Sequence, residues 1–544
     1  MMRKVLWFVV LAAVLVAPFA LRPRGEGAVV SVNADTVVVI SPHNEAIRYE
    51  FEAAFRRWYR ARVGREVRLD WRLIGGTSEI TRYLEGEYSA AFRNYWTGEL
   101  GRKWSAAVEA GFADGRLRAD APAEVKEARA AFLASGVGCG IDVFFGGGAF
   151  DFISQARAGR LVPMVAHGEP VPEWMREAVV PLRHAGDDFR DAEGRWTGAV
   201  LSSFGIVYNR DALRRLGLPA PTAWADLVDP RYLGALALAD PTKSGSMNKA
   251  FETVVQQRMH AVVKAQTASL ENGDESARRE AERAAVAEGW GEGLRLLLRI
   301  AANARYFTDS AQKVPIDVAA GNCAAGMGID FYGRQQVEAL ARRAGSERVV
   351  YVAPAGGTVY SVDPIGLLRG APHPQAAREL IAFVMSIEGQ RLWNQKPGTP
   401  GGPGRFALRR LPVRKDLYGE TEAAEWRSDP GESPYTLAQP LVYRPEWTGA
   451  LFGELRFILR VMCLDAHPEL TAAWREIVAA GCPPQALAVL TEVGAVDYAA
   501  AQGRIRSALR SKDKTEELRL ARELGEHFRA QYRRAAAVAR GETE

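Results

Sequence analysis

Cysteine is scarce. Four stand in 544 residues and no two form a C-x-x-C pair, so neither a disulfide scaffold nor the common zinc and redox motifs organise the chain. No H-E-x-x-H occurs, the seven histidines fall into no metal-ligand or triad spacing, and the G-x-S-x-G elbow is absent. Nothing therefore pairs a nucleophile with its base, and the chain reads as no enzyme. The Walker pattern G-x-x-x-x-G-K-[ST] is missing as well, which removes nucleotide binding as the default. Charge of one sign is thin: a net +5 over this length gives no footprint for nucleic acid. The Arg-rich tail "RSALRSKDKTEELRLARELGEHFRAQYRRAAAVAR" interleaves Glu with Arg and reads as a solvated helical face. No repeat with a period of roughly 20–50 residues is present.

What the chain does have is the balance of a globular protein, 48% hydrophobic and 25% charged, at a length that allows two or more domains. It opens with "MMRK", then the apolar run "VLWFVVLAAVLVAPFAL", then "RPRGEG". That is the pattern of an export signal. Pro18 sits poorly for an A-x-A cut after Ala20, and the run approaches the lower length limit of a spanning helix. Residues 1–28 are therefore a signal peptide or an uncleaved membrane anchor. A lipoprotein is excluded because the first cysteine is Cys139. Either way the bulk of the chain is expected outside the cytoplasm, periplasmic or at the cell surface. Cys463 and Cys482 flank a short helical segment and a bridge between them stays open, whereas Cys139 and Cys323 read as small buried hydrophobes.

Periodicity places the elements. "TVVVIS" is a β-branched run of the kind buried in parallel sheets, followed by the amphipathic "PHNEAIRYEFEAAFRRWYRARVG", which ends in glycine. "EVRLDWRLI" is a second strand, so a β–α–β crossover opens the fold. A helical insertion is expected over about 80–135, and "IDVFFGGG" is a third strand. "AVLSSFGIVYN", "LGALALADP", "CAAGMGID" and "RVVYVAPAGGTVYSVDPIGLL" read as further strands. The segment 247–305 is helical, with "ENGDESARREAERAAVAEG" a solvated excursion, and so is most of the chain after 375, apart from the loop "KPGTPGGPGRF". The fold class is α/β.

The chemistry-bearing residues follow strands: "SPHNE", "GGTSE", "GGGAF", "SSF", "DPTKSGS" and "IDFY". Ligands of open α/β sheets bind at the carboxyl ends of strands, and loops so spread along the chain point to two sheets facing one cleft. "DPTKSGS" opens a helix, where unpaired N–H groups and the helix dipole favour an anion. Its competing reading is an ordinary N-cap. On the anion reading Asp240, Thr242, Lys243, Ser244, Gly245 and Ser246 form one half of the site. Ser41, Gly76, Thr77, Ser78, Ser202 and Ser203 offer oxygen recognition or close backbone approach from the other half, and so do Gly75 and Gly146 to Gly148. For each loop plain turn chemistry is the alternative.

Taken in order, "VVVISPHNEA", "GIDVFFGGGAFDFISQARAGRLVPM", "FGIVYNRDALRRLGLPAPTAWADLVDPRYLGALALADPTKSGS", "CAAGMGIDFYGRQ" and "HPQAARELIAFVMSIEGQRLWN" resemble bacterial extracellular solute-binding proteins of ABC importers. The resemblance is to the ferric-iron and phosphonate-like branch with the type II fold, and it spans about residues 36–420. It implies two periplasmic-binding-protein-like lobes that close on a hinge, with a helical insertion and a helical C-terminal extension. The first lobe would take 36–200, the second 201–355, and 356–544 would return to the first lobe and continue into the extension. The crossing segments would be "SSFGIVYN" and "APAGGTVYSVDP".

The resemblance also implies partners: a small-molecule or metal ligand and a membrane permease, with no resident cofactor, no nucleic acid and a monomeric chain. Iron-binding relatives place a histidine after the first strand and two adjacent tyrosines in the second lobe. His43 matches the histidine, but the tyrosine pair reads Asp330-Phe331-Tyr332. His43 and Tyr332 are thus candidate ligands of ferric iron as cargo, with Asp330, Glu45 or an exogenous anion in compensation. The anion reading stands beside it, as do a membrane-tethered sensor and a hydrolase using the same cleft.

Overall fold

The computed structural model describes residues 34–268, 275–419, 424–436, 441–511 and 513–542. The export segment expected at 1–28 lies outside these residues, and so does 269–274, which takes in the start of the charged excursion.

The chain opens with β1 (Asp35–Ile40), α1 (Glu45–Val63) and β2 (Val67–Arg72). Helix α1 starts where Asn44 accepts the Ile47 N–H at 3.1 Å and stops at Gly64, whose φ of +76° is left-handed. α2 (Thr77–Asn94), β3 (Val143–Phe145), α3 (Ala149–Ala158), β4 (Leu161–Val162) and the hairpin β5 (Arg183–His184)–β6 (Asp187–Asp188) follow, then β7 (Trp196–Ser202). The second lobe is β8 (Phe204–Asn209), β9 (Leu236–Ala239), α4 (Gly245–Thr267), α5 (Glu275–Ala302), β10 (Ala304–Thr308), β11 (Ala325–Ile329), α6 (Asp330–Ala344) and β12 (Val349–Val352). β13 (Ser361–Leu368), α7 (Pro374–Met385), α8 (Ile387–Asn394) and β14 (Leu411–Pro412) complete the first lobe.

Two sheets result. The first runs β14-β7-β13-β3-β1-β2, with β4 beside β13, and the second runs β10-β9-β11-β8-β12. β1 pairs in parallel with both β2 and β3, as the crossover reading required. Its Val37, Val39 and Ile40 are fully buried because helices cover both faces of a parallel sheet. Only Ser203 separates β7 in the first sheet from β8 in the second, and residues 353–360 carry the chain back from β12 to β13. These are the two crossing segments expected from the sequence.

The insertion is helical. Its first helix, α2, leads out of β2, passes into the π-helical turn Tyr95–Glu99, and is followed by short helices at Ala106–Gly111 and Ala123–Ala134. Phe92, Phe112 and Phe132 pack ring to ring and join the core of the first lobe.

The extension is helical too, with α9 (Phe452–Leu459), α10 (His467–Ala479) and α11 (Lys514–Ala539). Residues from Leu441 to Ala536 share one hydrophobic core with the second lobe, while β13, α7 and α8 belong to the core of the first. The junction is polar as well as apolar. Trp474 donates its indole N–H to Asn303 Oδ1 at 2.7 Å, and Asn303 donates its amide to the carbonyls of Leu227 and Asp229. All four cysteines are free thiols, so no bridge joins Cys463 to Cys482. Packing holds this region, with Cys463 buried in the shared core.

Replacing Trp474 by Phe leaves the buried Asn303 oxygen unpaired. The expected cost is about 1–3 kcal/mol, read as a lower urea midpoint for the second lobe and extension together. An unchanged midpoint would show the extension to be merely apposed.

Candidate functional site

Three helices begin at one place. α2 follows β2 through "GGTSE", α3 follows β3 through "GGGAF", and α4 follows β9 through "DPTKSGS". Their approach is close enough to require glycine. A side-chain carbon on Gly147, whose φ is +116°, would stand 2.5 Å from the Thr77 side chain. One on Gly76 would stand 2.2 Å from the carbonyl oxygen of Lys243 in the opposite lobe. The lobes therefore touch here, and beside the contact lies a cavity of about 670 Å³. The N–H groups of Gly147 to Phe150, of Thr77 and Ser78, and of Gly245 and Ser246 have no hydrogen-bond acceptor among the described residues. The Ser78 hydroxyl, buried, has none either.

The motif "DPTKSGS" divides its labour. Asp240 Oδ1 accepts both the N–H and the hydroxyl of Thr242, at 2.7 and 2.6 Å, and so closes the turn on itself. Ser244 is the N-cap of α4, its hydroxyl accepting the Met247 N–H at 3.2 Å. Lys243 is exposed and does not line the cavity. Gly245 and Ser246 do, together with Gly147, Gly148 and Ser202. An ammonium does reach the cavity, from one turn further along: Lys249. Its Nζ lies 3.4 Å from Asp187 and 3.2 Å from Glu252. Asp151, at the start of α3, directs Oδ2 toward Gly245 with no hydrogen-bond partner. Burial raises its pKa, and Arg456 of the extension opposes the shift.

His43 is packed away from the cavity. Its ring stands edge-on to Phe145 at 4.6 Å and near Trp393 at 5.9 Å, and its backbone N–H donates to Ser41 Oγ. The guanidinium of Arg410 faces its Nε2 at 3.4 Å. Burial first, then Arg410 and Arg48, hold the imidazole well below its usual pKa of 6.5, so it is neutral. Arg410, with a side chain only 1% exposed, donates to Ser202 Oγ and to Asp363 Oδ2, both at 2.6 Å. It lies against the Phe331 ring at 4.4 Å.

Asp330 is buried behind the crossing. Its Oδ2 accepts the Ser203 hydroxyl at 3.2 Å, and burial, opposed by Arg334 and Arg410, raises its pKa to about 6. Tyr332 lies tilted against Phe331, ring centroids 4.0 Å apart, and burial pushes its phenol to about 12. Ser41, His43, Gly76, Thr77, Ser203, Asp330 and Tyr332 thus stand behind or beside the cavity wall. Among the described residues no three His, Cys, Asp or Glu side chains are grouped to hold a metal ion.

Sequence reading missed Lys249, Arg410, Asp363, Asp151 and Glu252. A signal existed for two of them: Ser246, Lys249 and Glu252 recur every three residues along one face of α4. Arg410 carried none, since its partners lie 47 and 208 residues away.

Residues 177–405 match the family model described as bacterial extracellular solute-binding protein. The match takes in less than half of the chain and bears out, over that segment, the resemblance carried by the motifs. An uncharacterized protein of Haemophilus influenzae is 27% identical over 263 residues, 47% of this chain and 61% of that one. The phosphoglycerate transport regulatory protein PgtC of Salmonella typhimurium is 25% identical over 193 residues, 36% of this chain and 39% of that one. The chain thus covers less than two thirds of either relative. Among solved structures, the substrate binding protein of an ABC transporter from Agrobacterium tumefaciens is similar with a TM-score of 0.47. It is 14% identical, covering 79% of this chain and 96% of that one.

Replacing Arg410 by Ala leaves Asp363 buried without a counter-charge, and a loss of about 3–5 kcal/mol is expected. The pair Arg410→Met with Asp363→Leu recovers most of it, a comparison made by chemical denaturation. The neutral His43 sets a pH dependence. Below 6.5 the unfolded chain takes up a proton that the folded imidazole refuses. Stability is therefore intact above 6.5 and falls as the pH drops beneath it. Melting curves between about pH 5.5 and 7 should be flatter for His43→Gln than for the wild type.

Proposed function

We propose that this protein is an exported binding protein that captures a small anion between two lobes and delivers it to a membrane permease. One observation carries the reading. Helix starts from both lobes turn unpaired N–H groups to one place beside the inter-lobe cavity, with Ser246, Ser202 and Lys249 on its wall. Such groups attract negative charge and require no reorganisation to bind it. The carboxyl of Asp151 already rests against the start of α4, which is where a negative group is favoured. The family description over 177–405 supports binding, rather than catalysis, and an extracytoplasmic site of action. Among the described residues no helix is long and apolar enough to cross a membrane.

Ferric iron is the less suited cargo. The guanidinium of Arg410 stands 3.4 Å from the His43 Nε2, the ring itself is packed away from the cavity, and Tyr332 holds its proton at neutral pH. A sensor is the second reading, favoured by the similarity to a transport regulatory protein. Phosphate-stimulated ATP hydrolysis by a reconstituted permease complex supports delivery, and phosphate-dependent binding to a sensor kinase supports sensing.

Calorimetric titration with inorganic phosphate, paired with small-angle scattering, tests the anion reading. Binding with compaction is expected, and no heat at any concentration overturns it. Ser246→Ala removes one charge-assisted hydrogen bond of roughly 1.5–3 kcal/mol, so phosphate affinity should fall roughly 10- to 150-fold with stability kept. Ser244→Ala should do the reverse, lowering stability by about 0.5–2 kcal/mol through loss of the cap while affinity holds.

A further inference from the structure

Beyond the anion seat the cavity continues along α4 to a second group of polar side chains. Glu252 is fully buried on the cavity wall. Its Oε1 accepts the Tyr443 hydroxyl at 2.8 Å and the Thr448 hydroxyl at 2.6 Å, both from the extension. This fixes the carboxylate and leaves Oε2 with no hydrogen bond, only Lys249 Nζ at 3.2 Å. Asp187, on the hairpin of the first lobe, is likewise buried and lines the cavity, and its Oδ2 has only Lys249, at 3.4 Å. Lys249 itself rests 3.2 Å over the Tyr443 ring.

The extension is built into this end of the cavity. Tyr443 donates its backbone N–H to the Ala185 carbonyl at 2.8 Å, and Gly186 leaves room for the Tyr443 carbonyl, which a side-chain carbon would meet at 1.8 Å. Gln256 of α4 donates to the Arg444 carbonyl and to Thr448. Phe452 packs against Phe150 of the first lobe, ring centroids 4.6 Å apart. First lobe, second lobe and extension thus each contribute one wall.

We propose that this extension-built end is a second recognition pole that takes hydroxyl groups of the ligand, so that the captured anion bears a polyhydroxyl chain. The inference rests on the anion reading given above. Two carboxylates offer more acceptor positions than the three N–H bonds of one ammonium fill. The surplus, Glu252 Oε2 and Asp187 Oδ2, is buried at this end of the cavity without a hydrogen-bond partner and calls for donors. A hydroxyl supplies a donor without bringing charge, whereas a second ammonium would meet Lys249 at close range in a buried setting. Burial raises the Asp187 pKa against the opposing pull of Lys249, which marks it as a carboxylate short of donors. Gly245 and Glu252 are seven residues apart on α4, about 10 Å along the helix axis. A hexitol phosphate in extended form spans such a distance.

Inorganic phosphate, butyl phosphate and sorbitol 6-phosphate, titrated into the full-length protein, test this. Sorbitol 6-phosphate should bind at least about tenfold tighter than butyl phosphate, the worth of one hydrogen bond to a charged group. In Tyr443→Phe and Thr448→Val, which free the Glu252 carboxylate to turn, and in Glu252→Gln, that ratio should fall toward one. Melting curves confirm that each variant is folded, and the two milder variants keep the test open if Glu252→Gln is not. Equal binding of the two esters by the wild type, or a ratio unmoved in every folded variant, overturns the inference while leaving the anion reading standing. Absence of binding by all three, inorganic phosphate included, overturns both.

Discussion

The arrangement depends on one buried charge. Arg410 enters beside β14 and donates to Ser202 at the end of β7 and to Asp363 in β13, the strands on either side of the two crossings. A guanidinium taken out of water costs several kcal/mol unless its donors are met and its charge is answered. Ser202 and Asp363 both accept from Nη2, Asp363 answers the charge and the rings of Phe331 and Trp393 flank the group, while Nε finds no acceptor among the described residues. The tie therefore fixes both crossing strands on the first-lobe side, while Ser203, alone between the sheets, is bound to Asp330 of the second lobe through its hydroxyl and its carbonyl. It also places a positive charge at the hinge without offering it to the cavity, where Asp363 already accounts for it.

Against that fixed hinge the extension changes what closure means. In a cleft with two walls the ligand meets one lobe and then the other. Here the segment after Leu441 shares the second lobe's core yet touches the first at Ala185 and Phe150. The wall it forms moves with the second lobe, because Trp474, Asn303 and Gln256 bind it there. The same contacts limit how long a ligand the closed cleft admits.

Much of this was legible in the sequence, and the reason is local. β1, β11 and the crossing at "SSFGIVYN" announce themselves by composition, and the loops after strands follow from the topology of any α/β sheet. The motif "DPTKSGS" was legible as a helix start but not in its division of labour. Which serine caps and which lines the cavity is decided by two positions of helix register. The same register put the ammonium at Lys249 rather than Lys243. Arg410 and the docking of the extension were not legible, since both rest on contacts between residues far apart in the chain. His43 sat at the expected turn, but the rings of Phe145 and Trp393, which hold it away from the cavity, come from distant strands and helices.

The polarity of α4 ties recognition to closure. Its start carries the positive end of the helix dipole and its third turn carries a carboxylate, so one helix presents opposite preferences at the two ends of a cavity. In this structure Asp187 of the first lobe stands 3.4 Å from Lys249 of the second, beside Glu252, and the proposed closure would bring it there as a second carboxylate in a space holding one ammonium. Two carboxylates crowded around one cation oppose the closed state, because the excess charge has lost its water. A ligand hydroxyl between them replaces that water, and it can do so fully only when both are near. Its contribution to the closed form is then larger than to the open form, and that difference, rather than affinity as such, is what shifts a hinge.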